Sequence, residues 1–130
     1  FIIFISTIFL DICWSLVDGK KDLYILNIII NTIYHFEYAW IGWVYICHVD
    51  SITGNRIKKN KKICYPLLIV PIVSSIIALS SPKTSLLFYI DEQYKYVRGW
   101  LFIYENIIIV IYILIIHLKM FMKQFKLNLI

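Results

Sequence analysis

The chain has 130 residues, of which 61% are hydrophobic and 16% charged, with a net charge of +5 and a mean hydropathy of +0.77. Soluble domains are about 45–50% apolar and about 25% charged, so a small globule bathed in water is excluded; it could not hide this much Ile, Leu, Phe, Trp and Tyr. A basic balance can indicate a nucleic-acid partner, but here the cations sit between apolar segments, so they report membrane orientation and no nucleic acid is expected.

The pattern predicts an all-α membrane protein, a bundle of four transmembrane helices forming one domain over residues 1–130. The first span covers about 1–17. Phe1 already lies inside the apolar run, which predicts a piece of a longer chain, and no signal-peptide n-region or cleavage site is visible. Asp18–Asp22 is a short link containing Gly19. The second span, about 23–48, is long enough to cross with some tilt. Residues 50–62, DSITGNRIKKNKK, form the one strongly polar run and are expected to be a loop. The third span, 63–79, contains Pro66 and Pro71, the second a natural kink or hinge. Residues 80–99 form the longest remaining loop, and the fourth span is 100–118. Lys119–Ile130 is basic and amphipathic.

Charge decides the topology. The loop 50–62 and the tail hold eight Lys and Arg against Asp50 alone, net +7; the link and loop 80–99 hold five against Asp18, Asp22, Asp91 and Glu92, net +1. Lys- and Arg-rich short loops stay in the cytoplasm. The basic loop and the C-terminus are therefore expected inside, and the link and loop 80–99 outside. Within that outer loop, Leu86–Ile90 and Tyr94–Val97 flank Asp91-Glu92-Gln93 and read as an extracytoplasmic β-hairpin between helices 3 and 4, with Asp91, Glu92, Tyr96 and Arg98 as its candidate site residues and Phe88, Tyr89, Tyr94, Tyr96 and Trp100 at headgroup level.

Polar residues inside the spans are costly and face protein interior. At helical spacing Thr7, Asp11, Ser15 and Asp18 share one stripe, and Asn27, Asn31, Tyr34 and Tyr38 another, with His35 and Glu37 on its flanks and Trp40 and Trp43 on the opposite, lipid-facing side. Arg98, Glu105 and Tyr112 recur at intervals of seven. Counted from the outer helix ends, Asp11 lies about 9 Å deep, Asn27 about 6 Å, Asn31 about 12 Å and Glu105 about 8 Å. These four are expected to converge on a cavity open to the outside and roofed by the hairpin, a pocket for a small extracytoplasmic ligand or a proton site. The plainer alternative is hydrogen bonding between helices, worth about 0.6 kcal/mol per bond. Cys13, Cys47 and Cys64 have no metal-ligand or CxxC spacing. No Gly-rich phosphate loop, nucleophile elbow, catalytic carboxylate pair or zinc spacing is present, so neither catalysis nor a cofactor or metal is expected of this chain.

Asp11, Asp18-Gly19, Asn27, Asn31, Tyr34, Asp50 and the segment FYIDEQYKYVRGWLF together resemble the multi-helix N-terminal membrane input module of bacterial GGDEF-type (diguanylate cyclase) signalling proteins. The resemblance spans most of residues 10–118. It implies a multi-pass sensor in the bacterial inner membrane, able to form a homodimer, that relays a signal to a cytoplasmic output domain. The chain departs from the family in having four helices where about six are usual and in carrying no GG[DE]EF sequence, so the module is expected to be cut at both ends. The other readings are a fragment of a small-molecule transporter or permease, supported by the polar seams and the Pro-interrupted third span, and a non-catalytic structural membrane subunit, whose seams would pair and leave no cavity.

Overall fold

The computed structural model describes residues 2–54 and 56–127, without the side chains of 53, 56, 58, 116 and 119–127. The chain is mostly helical. Its elements are α1 (Ile2–Val17), a 3₁₀ turn (Lys21–Leu23), α2 (Tyr24–Thr53), α3 (Arg56–Lys59), α4 (Lys61–Thr84), the strands β1 (Phe88–Ile90) and β2 (Tyr96–Arg98), and α5 (Phe102–Leu127). β1 and β2 form an antiparallel hairpin in which Tyr89 faces Val97.

α2 is the axis of the molecule and packs against α1, α4 and α5. Small residues let the neighbours approach: Ala39 and Gly42 on α2 and Ser75, Ala78 and Ser81 on α4 are buried, as is usual where helices associate without a hydrophobic drive. Trp40 does not point to lipid as expected: its Nε1 donates to Ser75 Oγ on α4 at 2.9 Å. Trp43 packs against the cluster of Ile46, Ile57 and Tyr112. Their wheel position opposite the polar stripe is correct, but α2 is covered on several sides, so it has no single lipid face.

Alongside an apolar core that includes Ile46, Ala78 and Phe88, the interior holds many polar groups and the surface many large apolar ones. Buried groups include Asn27, Asn31, His35, Asp50, Ser75, Ser81 and Glu105, while Ile8, Phe9, Ile76, Leu79, Ile103 and Leu114 are among many exposed large apolar side chains. Among the described residues one helix, α4, is long and apolar enough to cross a membrane by length and composition; α1 and the 102–115 part of α5 are apolar but shorter. α2 has the length, but Asn27, Asn31, His35 and Glu37 lower its mean hydropathy.

The basic stretch 50–62 is not the irregular loop expected. α2 runs on to Thr53, α3 occupies four residues of the stretch, and α4 begins at Lys61. Gly54, at φ +105°, closes α2 with its N–H on Asp50 O, a left-handed cap that glycine adopts without strain. The Asp50 carboxylate accepts the Ile57 N–H at 2.9 Å, and Ile57, apolar within a cationic run, folds back into the cluster with Ile46 and Tyr112. Asn60 caps α4, its side chain accepting from Lys62 N–H. The fourth helix also exceeds its expected end at 118 and continues to Leu127; the side chains of the amphipathic tail, and residues 128–130, lie outside the described residues.

α4 stays helical across Pro66, Pro71 and Pro82. Proline has no N–H, so Pro71 leaves the carbonyl of Leu67, four residues earlier, without its helical donor. The Tyr112 hydroxyl of α5 donates to that Leu67 carbonyl at 2.6 Å. Tyr112 reaches it by crossing α2 at Gly42, where a Cβ would lie 2.8 Å from the tyrosine ring. Gly42, Tyr112 and Pro71 thus lock three helices at one point.

Candidate functional site

The α1–α2 link and the hairpin lie at one end of the bundle, and the basic stretch joins α2 to α4 at the other. The hairpin turn is built by Asp91. Its carboxylate accepts the N–H groups of Gln93 and Lys95, both at 2.9 Å, and its backbone pairs with Tyr94 and Lys95. This leaves Tyr94 at φ +63°, a left-handed position normally given to glycine in three-residue hairpin loops, where a side chain costs about 1–3 kcal/mol. Contacts to the helices hold it there. Tyr94 O accepts Gly19 N–H at 2.9 Å and Asn27 Nδ2 at 3.3 Å, and its ring meets Tyr24 edge-on.

Asp18, the last residue before the link turns at Gly19 (φ +74°), fixes the hairpin to the helices. Its Oδ1 accepts Tyr96 N–H at 2.7 Å and Asn27 Nδ2 at 3.2 Å. Asn27, fully buried, in turn accepts on its own Oδ1 the Asn31 Nδ2, at 2.7 Å. The return strand enters α5 through Gly99, where a Cβ would overlap the backbone of Leu86; Gly99 N–H bonds Leu87 O at 2.7 Å.

Beneath the hairpin, His35 is fully buried in a cluster of three near-parallel rings with Phe88 and Tyr96, which also stack on each other, and with Tyr34 and Phe102 edge-on to it. His35 Nδ1 lies 2.8 Å from Glu105 Oε2 and Nε2 lies 3.2 Å from the Tyr96 hydroxyl. With the carboxylate accepting, Nδ1 carries the hydrogen and Nε2 accepts from the phenol, a tautomer assigned from the network. Burial pushes the Tyr96 phenol well above the ordinary tyrosine range against the opposing effect of Arg98, which keeps the hydroxyl a donor. Glu105 Oε1 is buried without a hydrogen-bond partner beside a small cavity of about 40 Å³ between α4 and α5.

A second cavity, of about 90 Å³, opens beside the hairpin and is lined by Asp11, Trp14, Asn31, Tyr34, Tyr96, Arg98 and Phe102. Of the four residues expected to converge, Asp11 and Asn31 line it. Asn27 sits behind Asn31 and supports it. Glu105 does not reach it: it meets His35 and lines the smaller cavity. Of the hairpin residues, Tyr96 and Arg98 line the larger cavity, Asp91 shapes the turn, and Glu92 is exposed at the tip. Arg98 lies in β2 and not on the helix with Glu105 and Tyr112; its guanidinium rests 4.7 Å over the Phe102 ring. The seven-residue spacing fails because Gly99 breaks the chain direction before α5 starts.

His35 is the residue the sequence reading underrates. Asn27, Asn31 and His35 are spaced by four and so lie on one face of α2, a signal available without the structure. Glu37 points elsewhere, its Oε1 accepting from Ser6 Oγ of α1 at 2.8 Å. Among the described residues no three His, Cys, Asp or Glu side chains gather where a metal ion could bind.

Comparison with protein-family models, curated proteins and solved structures finds no match. The likeness to a GGDEF-associated input module therefore rests on the residues quoted for it.

Proposed function

We propose that the chain is the membrane-embedded input region of a bacterial signal-transduction protein, crossing the membrane four times with the hairpin outside and the basic stretch inside, and regulating an output domain of the diguanylate cyclase type. The observation that carries this reading is the hairpin. It is pinned by Asp18, Gly19, Asn27 and His35 to α1, α2 and their link, it leads through Gly99 directly into α5, and it walls a cavity. A ligand that binds differently to two arrangements of this hairpin shifts their populations, and the same displacement moves α5, whose other end points toward the basic side. The apolar outer surface of α1, α4 and α5 fits lipid, and the buried polar network fits the interior of a membrane bundle.

Deleting residues 88–98 in the intact signalling protein is expected to abolish or lock its response while the chain still inserts. An unchanged response contradicts the sensory reading.

A further inference from the structure

Resting on that sensory reading, we propose that the cavity beside the hairpin binds a small zwitterion, an α-amino acid of glycine to alanine size. Asp11 and Arg98 both line it, and among the described residues neither forms an ion pair, with the other or with any other charged side chain. An unpaired carboxylate and an unpaired guanidinium on one cavity suit a ligand that carries both charges. A simple cation would be repelled by Arg98 and a simple anion by Asp11.

The supporting groups divide in the same way. Arg98 is held by the Phe102 ring and presents the planar fork that matches a carboxylate. Trp14 adds an indole N–H that is buried and has no hydrogen-bond partner. On the cationic side, Asn31 spends its Nδ2 on Asn27 O and Oδ1, which leaves its amide oxygen for an ammonium beside the Asp11 carboxylate, and the Tyr34 ring offers a π face. Size sets the limit. A cavity of about 150 Å³ holds benzene, with six heavy atoms, so one of about 90 Å³ takes roughly four; glycine therefore more than fills it, alanine marks the upper limit at its open side, and a larger side chain is too big.

The test is calorimetric titration of the intact chain in nanodiscs with glycine, L-alanine, L-leucine, acetate and methylammonium, repeated on Asp11→Asn and Arg98→Gln. Both altered side chains are exposed, and circular dichroism confirms that the variants keep their helices. Expected are saturable binding of glycine or alanine, at least tenfold weaker binding of acetate, methylammonium and leucine, and a tenfold or greater loss in each variant. Acetate or methylammonium binding as tightly as glycine, glycine affinity unchanged in either variant, or no binding at all overturns the zwitterion assignment. Failure of the sensory reading shows elsewhere, as an unchanged response of the intact protein after deletion of residues 88–98, so the two are separable.

Discussion

Asp18→Ala isolates the attachment of the hairpin to the helices. In the wild type, Asp18 Oδ1 accepts Tyr96 N–H at 2.7 Å and Asn27 Nδ2 at 3.2 Å. Hydrogen bonds to a charged group contribute about 1.5–3 kcal/mol each. Asn27 keeps a second acceptor in Tyr94 O, so its loss is partly offset, whereas Tyr96 N–H is left with none. The net cost of opening the hairpin should therefore fall by about 2–4 kcal/mol, a factor of roughly 30 to 700 in the opening equilibrium. Amide hydrogen exchange of the chain in nanodiscs reads this directly: the Tyr96 amide should exchange faster by that factor, while amides of α2 near Ile46 keep their protection. Asp18→Asn keeps an oxygen in place with a neutral group and should fall between. If Tyr96 exchanges no faster in Asp18→Ala, the hairpin is held by something other than Asp18 and this part of the reasoning is refuted.

Other consequences are equally direct. Tyr112→Phe removes the donor that serves Leu67 O across Pro71 and should destabilise the bundle by about 1–2 kcal/mol, read as a lower midpoint in thermal unfolding; Gly42→Ala, which drives a methyl against the Tyr112 ring, should act through the same contact, so the two effects should not add. Gly99→Ala sets a methyl against Leu86 backbone and should undock the hairpin, making a cysteine at Gln93 and the Tyr96 amide behave as in an open loop. Because burial raises the Tyr96 phenol in the folded state, its contribution to docking is fully present below the unfolded value of about 10 and is lost as pH rises through the folded value. Exchange at Tyr96 should rise with pH beyond the ordinary base-catalysed trend only above about pH 10, and Tyr96→Phe should remove that extra rise.

Much of the architecture is legible in the residues because its signals are local. Runs of apolar residues mark α1 and α4, Asp91-Glu92-Gln93 between aromatic and β-branched residues marks the hairpin, and Asp18-Gly19 marks the first turn. The site is less legible because its parts come from distant segments. Asp11 and Asn31 share a cavity because α1 packs on α2 and β2, bonded to Asp18, closes one side of it. Glu105 has a neighbour the spacing does not reveal: it meets His35, which comes from α2, and lines a different cavity from Asp11. The basic stretch misleads for a different reason. Its charge suggests a solvated loop, yet one apolar residue, Ile57, and one side-chain acceptor, Asp50, are enough to fold it against the bundle. Periodicity cannot show that a helix is surrounded, so Trp40 and Trp43 pass for lipid-facing residues.

The orientation of the bundle is the claim on which the sensory account depends. With Cys13, Cys47 and Cys64 replaced by Ser, single cysteines at Gln93 and Lys59 can be challenged in intact cells with a membrane-impermeant maleimide. The account predicts that position 93 labels in intact cells and position 59 only after permeabilisation; labelling of position 59 in intact cells with position 93 protected would contradict it.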